Sequence, residues 1–253
     1  MGPLQLERWF SSVVHGRDVA SRKTMKNDLS VEEILSSVND ADWRSLEQQI
    51  ASDLQDVIVS DPKNRAMDRL EKNYSKYFDL ETWIRYHLRH ARLMDLHSSN
   101  RPRRILDVGC GSGIFLHVCK ALGHAGVGID VNSDMYQRMA EILGVEYVPG
   151  LVVPFEPLDE RFRGFDWITA IAIKFDRRDF ANRDATPWAL EEWKFFLRDC
   201  AQRLNEGGKL YIKPNFFKLN TLFEDPAITR LLENVASVQT PTGEFIIPRE
   251  AVL

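Results

Sequence analysis

Ile105-Leu-Asp-Val-Gly-Cys-Gly-Ser-Gly113, running directly into Ile114-Phe-Leu-His-Val-Cys119, decides the fold of this chain. The apolar run ahead of Gly109 is short and predicts a buried strand. The alternating glycines predict a turn, because a residue without Cβ reaches backbone conformations closed to other residues. The apolar stretch that follows predicts a helix opening on that turn, and a ligand carboxylate or phosphate is expected against bare amides at its N-terminus. A second strand, Val127-Gly-Ile-Asp130, ends in an acid 21 positions beyond Gly109. A carboxylate at about that distance past the first glycine is placed to bond a ribose hydroxyl pair. Together the two features predict a nucleoside ligand.

Beyond the basic stretch Ser98-Ser-Asn-Arg-Pro-Arg-Arg104, short apolar runs recur at 105–109, 125–131, 145–148, 165–173 and 207–214. Helix-length segments separate them: Ile114 to Leu122, Ser133 to Leu143 and Pro187 to Leu204. That alternation predicts an α/β fold with a doubly wound, mostly parallel sheet. Asp225-Pro226 should cap a short helix, and Val235–Gln239 with Glu244–Ile247, split by Thr240-Pro-Thr-Gly243, predicts a closing hairpin. Upstream, Ser30-Val-Glu-Glu33 carries the capping-box pattern. Trp43, Leu46, Ile50, Leu54, Val57 and Ile58 predict a second helix that stops at Asp61-Pro62, and a third is expected from Asp79 to His97. Residues 1–97 therefore read as a helical N-terminal extension or lid, and 98–253 as the ligand-binding domain, with the apolar positions near Leu4 to Val14 forming a short helix or staying loose.

The ligand class follows from the glycine spacing. A dinucleotide fingerprint needs a third glycine where Ile114 stands; here the pattern is Asp107-x-Gly109-x-Gly111-x-Gly113. With the acid at Asp130, the Phe165-Asp-Trp-Ile-Thr-Ala strand and the Leu204-Asn-Glu-Gly-Gly-Lys-Leu-Tyr-Ile strand in that order, the chain resembles class I S-adenosylmethionine-dependent methyltransferases of the stand-alone bacterial small-molecule type. The resemblance covers residues 79–248 or thereabouts and implies a Rossmann-like methyltransferase fold with S-adenosyl-L-methionine as cofactor. It implies that Asp107 supports the methionine ammonium, that Gly109, Cys110 and Gly111 form the turn beneath the methionine, and that Asp130 and Val131 border the ribose. Family members often place an acid after the third strand to read adenine. This chain has Val148-Pro-Gly-Leu-Val-Val-Pro154 instead, so Leu151 and Val152 are the expected adenine contacts, with Ile171 at the end of the fourth strand. The aromatic group Tyr74, Tyr77, Phe78 and Trp83 resembles the segment that closes over the cofactor in small-molecule enzymes, and core packing explains it equally well.

The acceptor is expected beyond the fourth strand, where Lys174 to Pro187 carries three carboxylates and four cations in 14 residues. Asp176, Lys174 and Asp179 are the catalytic candidates, Asp176 as a base for an acceptor hydroxyl. A carboxylate-rich loop favours oxygen methylation of a small metabolite or sugar-like molecule. Rival readings are a protein or RNA methyltransferase and a non-catalytic cofactor-binding module. The net charge of -4 is spread without a basic stripe, which argues against nucleic acid as partner. No stretch matches the roughly 18 apolar residues of a membrane span. No metal-ligand spacing is present, and three cysteines without paired spacing predict a reducing, cytoplasmic setting. His87, His90 and His97 read as helix-surface or packing residues and His117 and His124 as structural ones, and oligomeric state has no signature.

Overall fold

The computed structural model describes residues 29–60, 76–173, 175–178, 185–214 and 225–253. The readings made on the first 28 residues, Tyr74, Lys174, Asp179 and the stretch to Asp184 lie outside these. Strands are β1 (Arg104–Val108), β2 (Ala125–Asp130), β3 (Glu146–Pro149), β4 (Phe165–Ile171), β5 (Asp176–Arg178), β6 (Ala185–Pro187), β7 (Leu204–Lys213), β8 (Val238–Gln239) and β9 (Phe245–Pro248). Helices are α1 (Val31–Leu35), α2 (Asp40–Ser60), α3 (Leu80–Leu93), α4 (Ile114–Ala121), α5 (Asp134–Ile142), α6 (Leu190–Arg203) and α7 (Pro226–Val235).

Seven of the described strands form one sheet in the order β3-β2-β1-β4-β7-β9-β8. The first five are parallel, and β9 is antiparallel to both its neighbours. This is the doubly wound, mostly parallel α/β architecture that the alternating runs predict. The strand order reverses between β1 and β4, which opens a crevice at their C-terminal ends.

Alternation along each strand feeds two cores. Ile105, Trp167, Tyr211 and Ile246 face one layer, where they meet Ile34, Leu46, Ile84 and Phe115 from α1 to α4. Leu106, Val108, Ile168 and Leu210 face the other, against Trp193, Phe196 and Leu197 of α6 and Leu232 of α7. Each such side chain contributes about 1.5–3 kcal/mol on full burial. The N-terminal helices thus share their core with the sheet.

Local signals set most boundaries. Ser30 and Glu33 close the capping box of α1, with bonds of 3.2 and 3.0 Å. Asp79 accepts the Thr82 amide at 3.2 Å and starts α3. That helix stops at Leu93, short of the expected His97, because Asp95 turns into the left-handed region at φ 54. Two other expectations need correction. The helix predicted from Pro187 begins at Leu190, since 185–187 pairs with 176–178 as an antiparallel arm. The closing hairpin is shorter than predicted on its first side, where Val235 ends α7, and its second strand joins the main sheet through β7. A run buried on both faces, Phe245-Ile-Ile247, explains that interior position.

Arg203, 5% exposed, ties α6 to the segment after β3. Its guanidinium meets Asp199 at 2.8 and 3.0 Å and donates to the carbonyls of Leu158, Asp159 and Phe162, while Asp199 also accepts the Leu158 amide at 2.9 Å. Removing one partner of such a buried pair strands the other charge. Urea unfolding of Arg203→Ala should show a loss of about 3–5 kcal/mol.

Candidate functional site at the glycine turn

The crevice between β1 and β4 is occupied by the glycine turn. Gly109, Gly111 and Gly113 all have positive φ, at 72, 53 and 81°. Their missing side chains leave room for three others. A Cβ on Gly109 would lie 2.0 Å from Ile173 Cγ2, one on Gly113 2.6 Å from Val145 Cγ2, and one on Gly111 3.3 Å from the Tyr77 hydroxyl. Ala172, in the left-handed region at φ 57, turns the chain after β4 so that Ile173 reaches the turn. A non-glycine residue held there costs about 1–2 kcal/mol.

Four amides of this turn are engaged within the protein, while the helix that follows opens without a side-chain cap. Gly109 and Cys110 donate to the Ile129 carbonyl at 2.7 and 3.2 Å, and Gly113 donates to Cys110 at 3.0 Å. Gly111 donates to Asp130 Oδ2 at 2.6 Å. The end of the second strand thus takes the Gly109, Cys110 and Gly111 amides. What the turn offers a ligand is close approach beneath Tyr77, together with two carboxylates.

Asp107 is the first of these. It is 2% exposed at the end of β1 and accepts the Thr169 hydroxyl at 2.6 Å. Burial pushes its carboxyl up, the Thr169 bond pulls it down and the Asp130 charge pushes it up again, which leaves it at about 7. A buried acid in that condition favours a cationic partner. Asp130 is half-buried, and its Oδ1 takes the Val131 amide at 2.7 Å. The Val131 carbonyl accepts the Tyr147 hydroxyl.

The remaining candidates are placed as follows. Cys110 packs its sulfur where a Cβ on Gly128 would stand, and burial pushes its thiol well above the ordinary value, so it contributes backbone rather than a thiolate. Leu151 is 58% exposed, whereas Val152 lines a surface hollow with Phe155, Trp188 and Phe195. Ile171 is buried at the end of β4, in register with Lys213. Asp176 opens β5, opposite Pro187. The arm is anchored by Phe175, whose ring lies 4.1 Å from that of Trp193, and by Arg177, 2.6 Å from the buried Glu192.

Sequence reasoning missed Ile173 and Thr169. Ile173 continues the alternation past Ile171, and Thr169 is the register neighbour of Asp107, which only strand pairing discloses. Tyr77 was visible as part of the aromatic run, and its place over Gly111 is reinforced by ring contacts to Trp83 at 5.2 Å and Tyr136 at 5.9 Å. The histidines pack as expected. His90 Nδ1 pairs with the Tyr211 hydroxyl at 2.5 Å, His117 bridges Ser37 and Leu143, and His124 bridges Arg103 and Leu96. Among the described residues there is no grouping of three metal-ligating side chains and no helix long and apolar enough to cross a membrane.

A parallel sheet with this order and a glycine turn between two carboxylates at its switch point define a class I methyltransferase domain. Residues 80–225, more than half of the chain, match the family described as methyltransferase domain, and the chain belongs to it. A tRNA U34 carboxymethyltransferase of Pseudomonas fluorescens is 30% identical over 121 residues, 46% of this chain and 34% of that protein. An 18S rRNA (guanine-N(7))-methyltransferase of Schizosaccharomyces pombe is 35% identical over 71 residues, 26% of each chain. The chain thus spans a third or less of these curated relatives. A S-adenosylmethionine-bound amino pentose methyltransferase from Micromonospora echinaspora is 22% identical, with 52% of this chain and 50% of that one aligned at a TM-score of 0.38.

The buried acid yields a stability prediction. Its folded pKa of about 7 lies above the ordinary 3.8, so protonation stabilises the fold, fully below the ordinary value, and that stabilisation is lost as pH rises through about 7. Ligand-free Asp107→Asn should be more stable than the parent at about pH 8, by about 1–4 kcal/mol in urea unfolding, and the gap should close toward about pH 4.

Proposed function

We infer that this chain transfers a methyl group from S-adenosylmethionine to the oxygen of a small-molecule acceptor. The observation that carries the cofactor reading is the buried Asp107 carboxyl, which has no cationic partner among the described residues and is set beside a turn whose glycine space lies under Tyr77. In this reading Asp107 takes the methionine ammonium, Gly109 to Gly111 admit the methionine backbone, and Asp130 accepts the ribose hydroxyls while holding the turn. Leu151 and Val152 border the adenine, Tyr77 covers the methionine end, and the segment 1–97 serves as an extension or lid beside the domain 98–253. The group supplies an already activated methyl on its sulfonium. The chain's own residues then need only align an acceptor, exclude water and remove a proton. Asp176, with Lys174 and Asp179 beside it in sequence, is proposed to orient and deprotonate that acceptor. The carboxylate-rich sequence 174–187 and the even spread of charge support a small molecule. A second reading, RNA methylation, is favoured by the names of the tRNA and rRNA relatives.

Radiolabelled cofactor incubated with the chain and either an ultrafiltrate or total RNA separates the two: label in the ultrafiltrate is expected, and label confined to RNA overturns the acceptor assignment. Asp130→Ala should weaken S-adenosylmethionine binding by about 1–3 kcal/mol in calorimetry. Asp176→Asn should slow transfer by about 10² to 10⁴ while cofactor affinity holds; an equal loss in both would remove Asp176 from the acceptor site.

A further inference from the structure

Thr169 lies inside β4, fully buried, two residues from the strand's end. Its hydroxyl stands 2.6 Å from Asp107 Oδ1 and 3.4 Å from the Leu106 carbonyl. A hydroxyl has one proton to give, and an ionised carboxylate can only accept. The shorter contact falls in the range of charge-assisted bonds, so the proton is given to Asp107 when that group is ionised. When Asp107 is protonated, the same hydroxyl can turn to the Leu106 carbonyl and accept from the acid. Thr169 therefore has a different bond for each charge state of its neighbour.

We propose that Thr169 is a positioning residue for the cofactor: by donating to Asp107 Oδ1 it favours the ionised carboxylate and leaves the other oxygen to receive the methionine ammonium. The proposal rests on the reading of the glycine turn as the S-adenosylmethionine cradle. The groups around Asp107 make the hydroxyl matter. Asp130, at the end of β2, opposes a second negative charge, and the thiols of Cys110 in the turn and Cys119 on α4 are pushed up by burial and stay neutral. On β7, Tyr211 is the register neighbour of Thr169, and burial keeps its phenol protonated as well. Burial and the Asp130 charge raise the Asp107 carboxyl and the Thr169 bond lowers it, which leaves it at about 7, where the strength of that one bond decides how much of it is charged.

The test is calorimetry of the full chain between about pH 5 and 7.5, with S-adenosylmethionine and with 5′-methylthioadenosine, which keeps the nucleoside and lacks the amino acid. S-adenosylmethionine affinity should fall as pH drops through about 7, while methylthioadenosine affinity stays flat. Thr169→Val should weaken S-adenosylmethionine binding about tenfold to a hundredfold at neutral pH and move the acid limb to higher pH, and Thr169→Ser should restore both. An unmoved limb in Thr169→Val, or an equal loss for both ligands, overturns the proposal. Should the valine variant not fold, the limb of the parent chain carries the test: its absence with both ligands bound overturns the role of Thr169 alone. Failure of the parent to bind either ligand overturns the cradle as well.

Discussion

The pairing of β1 with β4 is the contact on which the site depends. Ile105, Leu106 and Asp107 stand opposite Trp167, Ile168 and Thr169, and the residues alternate between the two cores. One register step in either strand would send Asp107 to the opposite face and part it from Thr169. Because the chain leaves β1 in one direction across the sheet and β4 in the other, the crevice above this pair is left without a crossing helix, and the glycine turn fills its floor.

Holding a carboxylate there is expensive for the fold and useful to a ligand. Burial makes ionising Asp107 costly in the ligand-free protein, a cost that a cationic ligand group would offset. Asp130 meets the opposite condition, since two backbone amides already support its charge. Two acids beside one turn are thereby made different by burial and by what donates to them.

The helices ahead of the sheet are built into the same core, and a polar network fixes them at its far edge. Arg89 of α3 reaches Glu244, whose buried carboxylate accepts from Thr242 at 2.6 Å and stands 3.8 Å from Lys213. Burial alone would push Glu244 up, yet the hydroxyls of Thr240 and Thr242 and the Lys213 charge hold it below the ordinary value. At the next position of α3, His90 meets Tyr211, the register neighbour of Thr169. α3 is thus anchored beside the strands that carry the site, and the Lys76–Phe78 turn preceding it brings Tyr77 over Gly111.

The sequence by itself determined the strand-and-helix alternation, the glycine turn, the two acids and most helix starts, because these rest on local rules: capping side chains, glycine's freedom and the length of apolar runs. It also placed Tyr77 among candidate cofactor-covering residues without choosing between that role and packing. Only the tertiary structure decided the rest. That β9 enters the sheet interior, that 185–187 pairs back on 176–178, and that Ile173 and Tyr77 converge on the turn all depend on contacts between residues far apart in sequence. The engagement of the Gly109, Cys110 and Gly111 amides depends on the same kind of contact, since their acceptors, Ile129 and Asp130, belong to another strand. Thr169 carries no local signal of its role; it gains one when β4 pairs with β1 in this register and sets its hydroxyl against a carboxylate that burial has left short of a partner.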